Sequence, residues 1–83
     1  MSEIYWEKNA IDFLKKLQKE ESERIIKKME LIKLDAKHYI EGLAGREEKK
    51  IRIGDYRLFV EYYENKDELI VLAIRHRKNA YKK

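Results

Sequence analysis

Two hydrophobic periods divide the chain. Up to about residue 43 the apolar residues recur at steps of three and four, and from Lys49 onward they alternate. The first spacing keeps one face of a helix apolar; the second keeps one face of a strand apolar. Ala10, Phe13, Leu14 and Leu17 share one helical face, and Ile25, Met29, Ile32, Ala36, Tyr39 and Leu43 share another. Asn9 is placed to cap the first helix, with Asp12 as its capping-box partner, and Ser22 to cap the second. Only "QKEES" interrupts the pattern, so an antiparallel helix hairpin is expected. "EGLAG" (41–45) holds two of the three glycines and ends the helical part. Ahead of the hairpin, "EIYW" (3–6) reads as a short strand.

The alternating half reads as three strands, "KKIRI", "YRLFVEYYE" and "ELIVLAI". "GD" (54–55) between the first two is a two-residue hairpin turn with glycine first, which suits type II′. It sets a register of Ile53 with Tyr56, Arg52 with Arg57, Ile51 with Leu58 and Lys50 with Phe59. Ile51, Ile53, Leu58, Val60 and Tyr62 then share one face, and Lys50, Arg52 and Arg57 the other. For the second turn, "NKD" (65–67), a three-residue loop places Ile70, Leu72 and Ile74 beside Tyr62, Val60 and Leu58. A two-residue loop turns those three outward, and apolar burial favours the former, because a one-residue slip exchanges the faces of a strand. Arg75 then falls beside Arg57, with Arg77 pointing the same way. The expected fold is α+β: an N-terminal strand and a helix hairpin packed on one face of a small antiparallel sheet, in the order β-α-α-β-β-β. One domain is expected over residues 1–83.

Composition adds two constraints. The chain is 43% hydrophobic and 43% charged and contains no cysteine, which excludes disulfides and zinc–thiolate sites. No apolar run is long enough for a bilayer and no signal-peptide pattern opens the chain, so a cytoplasmic protein without membrane contact is expected. The net charge of +4 is uneven. Residues 1–45 are balanced, with nine Lys/Arg and nine Asp/Glu, whereas residues 46–83 hold eleven against seven. That excess points to an anionic partner for the second half.

The basic residues of the sheet are the candidate chemistry. Like charges directly opposite on neighbouring strands cost up to about 1 kcal/mol. Arg52 faces Arg57, with Lys50 and Arg75 crowding the same patch. A bound polyanion turns that repulsion into attraction, while long side chains splayed into water are the plainer explanation. Phe59 and Tyr63 lie on the basic face, where they can stack on bases or pack beneath a partner. By parity His76 points to the apolar side and reads as a packed edge residue; His38, near a helix end, reads as structural or solvated. Lys15, Lys16, Lys19, Lys27 and Lys28 are matched by nearby glutamates and read as solvated helix faces, with contact to nucleic-acid phosphates as the lesser alternative. Metal-ligand spacings, glycine-rich phosphate loops and nucleophile elbows are absent from the sequence, and no cofactor is expected.

"KIRIGDYRLFVEY" (50–62), an apolar strand and "HRKNAY" (76–81) together resemble the RelE/ParE toxin superfamily, and its RelE branch most closely. The resemblance implies a type II toxin that cleaves messenger RNA in the ribosomal A site. It implies attack by the RNA's own 2′-hydroxyl without a metal, and a RelB-like antitoxin as inhibitor, in a heterodimer or a heterotetramer. It assigns the chemistry to Lys50, Arg52, Arg57, Arg77 and Tyr81. Arg77 is the implied proton donor to the leaving 5′-oxygen, Arg52 and Arg57 clamp the phosphate, and Tyr81 or Lys50 takes the 2′-proton. Arg75, Phe59, Lys49, Arg46 and Lys78 are the further expected RNA contacts. Arg75 stands where many relatives have glycine. The alternatives are a ParE-like inhibitor of DNA gyrase on the same scaffold and a non-catalytic binding module.

Overall fold

The change of period at residue 49 is the change from helix to sheet. The computed structural model describes residues 2–42 and 49–77. Along them run strand β1 (Glu3–Trp6), helices α1 (Lys8–Lys16), α2 (Lys19–Ile32) and α3 (Ala36–Tyr39), and strands β2 (Glu41–Gly42), β3 (Lys49–Ile53), β4 (Tyr56–Tyr63) and β5 (Glu68–His76). The five strands make one sheet in the order β1-β5-β4-β3-β2. β1 is parallel to β5, and the other neighbours are antiparallel. The helices cover one face. Ala10, Ile25, Met29 and Ile32 meet Ile51, Ile53, Tyr56, Leu58, Val60, Leu69, Val71 and Ile74 in the core. Each large apolar side chain fully buried there stabilises the fold by about 1.5–3 kcal/mol. The α+β class and the order of the expected elements are as the hydrophobic pattern indicated.

The helix starts differ from the expected caps. Glu7 is the N-cap of α1 and makes no side-chain cap bond. Its backbone N–H donates to the Val71 carbonyl at 2.9 Å, so strand pairing runs directly into the helix. Asn9 and Asp12 therefore lie inside α1, where Asp12 accepts from Lys8 Nζ at 2.8 Å. Gln18 precedes α2, and Ser22, a turn inside it, donates to the Lys19 carbonyl at 3.1 Å. The second helical stretch is also broken. Leu34 and Asp35 donate to the carbonyls of Leu31 and Ile32 in a tightened turn, and Asp35 leaves helical geometry at φ −153°. Ala36 and Tyr39 belong to the short α3 that follows. Leu43 lies outside the described residues. The start of "EGLAG" is the extra strand β2, paired with Lys49 and Lys50.

The two hairpins of the meander behave differently. Between β3 and β4 the register is the expected one, from Lys49 opposite Val60 to Ile53 opposite Tyr56. Gly54 sits at φ 56°, a conformation that most side chains disfavour. Between β4 and β5 the turn takes four residues, 64–67, since Tyr63 pairs with Glu68. Val60 consequently faces Val71, and Tyr62 faces Leu69. A bulge after Phe59 leaves Leu72 as the extra residue and returns the strand to Leu58 opposite Ile74 and Arg57 opposite Arg75. Leu69 and Val71 are thus fully buried, while Ile70 and Leu72 are only half-buried, which corrects the expected inward placement of the latter two. The longer turn is held by Asp67. Its carboxylate accepts from Ser2 Oγ at 2.6 Å and Tyr62 OH at 3.4 Å, and its carbonyl accepts from the Glu3 N–H.

Candidate functional site

The face of the sheet away from the helices is built by parity. Arg52, Arg57 and Arg75 occupy one register row across β3, β4 and β5. Neighbouring strands are about 4.8 Å apart, so three guanidinium stems rise side by side. The next row on that face is Lys50, Phe59 and Ala73. The bulge matters here. Without it the four-residue turn would carry its register onward, setting Ile74 opposite Arg57 and turning Arg75 toward the helices. Arg77, just past β5, is exposed, and its backbone N–H donates to the Asp55 carbonyl at 2.6 Å. That bond pins the end of β5 to the β3–β4 turn.

Carboxylates near the row lie at its margins. Lys50 Nζ lies 4.0 Å from Glu41 Oε1. Glu61, on the same face, accepts from Tyr63 OH at 3.1 Å. Among the described residues no carboxylate lies within ion-pair distance of Arg52, Arg75 or Arg77. Arg57, in the middle, is half-buried. Lys49 stands apart from these residues. It has the opposite parity, pairs with Val60, and keeps its Nζ over β2, where a Cβ on Gly42 would meet it at 3.9 Å. Arg46, Lys78 and Tyr81 lie outside the described residues. His76 stands edge-on to Tyr56, at 5.3 Å between ring centres, and Tyr56 edge-on to Phe13 at 6.0 Å. Burial, with Glu21 and Asp55 adding, pushes the Tyr56 phenol above its ordinary pKa and keeps it neutral.

Two flanking surfaces were not legible as such in the sequence. A groove of about 560 Å³ between α2 and β3 is lined by Arg24, Lys27, Lys28 and Leu31 on one side and Arg52, Ile53 and Gly54 on the other. A cleft of about 350 Å³ lies between α1 and β5, with Asn9, Lys16 and Arg75 in its walls. The helix lysines were expected to be matched by glutamates; among the described residues, of the five, only Lys19 has such a pair, with Glu23 at 4.0 Å. Glu23 and Glu30, the acids within helical reach of Lys27, serve Lys19 and Lys33 instead. Lys28 lies 5.4 Å above the Tyr39 ring. The signal for the groove was the i, i+3, i+4 spacing of Arg24, Lys27 and Lys28, which stacks three cations on one helix face.

Residues 4–81 match the family described as the ParE toxin of type II toxin–antitoxin system, parDE. The chain belongs to the ParE toxin family. It is a type II toxin of the RelE/ParE superfamily, and its fold is shared with RelE toxins. The RelBE2 toxin–antitoxin complex of Mycobacterium tuberculosis contains a chain superposing with TM-score 0.83 at 16% identity, over 92% of this chain and 98% of that one. The intact Escherichia coli RelBE complex gives 0.74 at 18%, over 92% and 96%. The RelB–RelE complex of Methanococcus jannaschii gives 0.64 at 23%, over 93% and 94%. At these identities the likeness is one of fold. No curated protein matches the chain. Among the described residues of this toxin no helix is long and apolar enough to cross a membrane.

Proposed function

We propose that this toxin is an endoribonuclease that cleaves messenger RNA in the ribosomal A site. The observation that carries the reading is the row Arg52–Arg57–Arg75, three cations aligned across three strands. A scissile phosphate on this face is held by planar guanidinium forks, which suit two phosphate oxygens at once. The RNA's 2′-oxygen attacks phosphorus, its proton passes to Lys50 or Tyr81, and the bond from phosphorus to the 5′-oxygen breaks. Arg77 supplies a proton to that oxygen. The products are a 2′,3′-cyclic phosphate and a 5′-hydroxyl. As charge builds on the phosphate oxygens, Arg52 and Arg57 strengthen their hold; fixed donors of this kind lower barriers because they need no rearrangement. Phe59, between Lys50 and Ala73 in the next row, supplies a ring on which a neighbouring base stacks in this reading. An antitoxin with an acidic or amphipathic segment is the inhibitor suited to this face, in a cytoplasmic heterodimer or heterotetramer.

The deciding experiment is primer extension on ribosome-bound transcripts after expression. The wild-type chain produces cuts within codons, and Arg77→Ala produces none while keeping its circular dichroism spectrum. A fully cutting Arg77→Ala chain overturns the assignment. The match to the ParE family favours a second reading, inhibition of DNA gyrase. It predicts DNA damage on expression, without codon-phased cuts.

A further inference from the structure

We infer that the α2–β3 groove is a nucleotide subsite, into which a single-stranded RNA continues after crossing the arginine row at right angles to the strands. The inference rests on the RNA-cleavage reading and adds a path and further contacts to it. Arg52 carries the continuity, being both the β3 end of the row and a wall of the groove. A backbone laid along Arg75, Arg57 and Arg52 therefore reaches the β3 edge of the sheet, where Arg52 shares the groove with α2. β2 pairs only with Lys49 and Lys50, so the β3 edge from Ile51 to Ile53 is not covered by a described strand.

The lining of the groove suits a nucleotide. Leu31 and Ile53 with Gly54 form an apolar floor, and Leu31 is 58% exposed. The rim is Arg24, Lys27, Lys28 and Arg52. A base is flat and apolar on its faces, and its backbone is anionic, so floor and rim match the two parts of one ligand. Arg24 pairs with Glu21 at 3.1 Å, and among the described residues no carboxylate lies within ion-pair distance of Lys27 or Lys28. At the other end of the row Arg75 shares the α1–β5 cleft with Lys16, so the path has cations at both ends.

The test measures binding of uncleavable 2′-O-methyl oligonucleotides, about four and about twelve nucleotides long, to the intact chain by fluorescence anisotropy at several salt concentrations. Each phosphate neutralised contributes about 0.7 to the salt slope for a single strand. Lys27→Gln/Lys28→Gln is expected to lower the slope for the long oligonucleotide by about 1.4 and leave the short one nearly unchanged. Arg57→Gln is expected to weaken both. An unchanged slope in the double variant, with Arg57→Gln still weakening both, overturns the subsite and spares the cleavage reading. Wild-type RNA binding that is insensitive to Arg57→Gln overturns both. If the double variant keeps its RNA binding but loses an acidic amphipathic helical peptide that the wild type holds, the groove is a protein site and the inference fails.

Discussion

The β3–β4 and β4–β5 hairpins meet on one strand and set their registers by different means. In the first, a two-residue turn with glycine at φ 56° leaves the chain one way to pair, so local geometry decides. In the second, a four-residue turn leaves register to contacts far along the chain. Asp67 anchors to Ser2 and Tyr62, and Leu69 and Val71 enter the core. The two halves of β5 would then disagree about which face Arg75 occupies, and the bulge at Leu72 reconciles them. A local rule thus builds one side of the arginine row, and a tertiary compromise builds the other.

The largest expected effect tests whether the hairpins build one site. Arg57 belongs to both. Arg57→Ala is expected to lower RNA cleavage by roughly 100- to 1,000-fold, the usual loss when a fixed transition-state donor is removed. Arg52→Ala and Arg75→Ala, each on one hairpin, are expected to lose less. Single-turnover rates on programmed ribosomes measure all three. Equal activity of Arg57→Ala and wild type would break the shared row into unrelated surface charges.

The next effect probes the compromise in β5. Leu69→Ala empties a fully buried position and is expected to cost about 2–5 kcal/mol, whereas Leu72→Ala, at the bulge, is expected to cost clearly less. Urea unfolding followed by circular dichroism gives both values. The reverse order would restore the three-residue loop and the inward Leu72. This is where the sequence was least legible. "ELIVLAI" is apolar at nearly every position, so alternation alone could not choose which residues face inward, and the bulge leaves no local mark. The same holds for β2, whose two residues carry no period of their own. Asn9 and Ser22 are good capping residues by type, yet pairing of Glu7 with β5 starts α1 ahead of the first. What a local rule could specify was legible: the apolar face of α1, that of α2 from Ile25 to Ile32, the Gly54 turn, and the alignment of Arg52 with Arg57. Arg75 was placed correctly beside Arg57 although the route to it, through a longer turn and a bulge, was not foreseen. The expected match of Lys27 with a nearby acid did not form among the described residues, because Glu23 and Glu30 lie with Lys19 and Lys33.

A smaller effect sharpens the local side. Gly54→Ala adds a Cβ that meets nothing nearer than the Arg24 guanidinium at 3.9 Å, so its cost is conformational, about 1 kcal/mol. Urea unfolding gives the stability change, and the rate measured alongside it is expected to hold near wild type because the register has no alternative. A large loss of activity with little loss of stability would mean that the turn acts in the site and not only in pairing.

The smallest effect belongs to the tertiary side, and it depends on pH. The hydrogen bond from the Ser2 hydroxyl is the largest of the causes that hold the Asp67 carboxyl below its ordinary pKa. Because the folded value is the lower one, Asp67 stabilises the fold above the ordinary aspartate range, and this contribution fades as pH falls through the folded value. Asp67→Asn keeps a residue that tolerates φ 53° and removes only the charge. The variant is expected to unfold at slightly lower urea than wild type near neutral pH, with the two curves converging in acid. A difference that persists at low pH would assign the effect to side-chain geometry. The anchor of the longer turn would then be the shape of Asp67 rather than its charge, and the β4–β5 register would stand on packing alone.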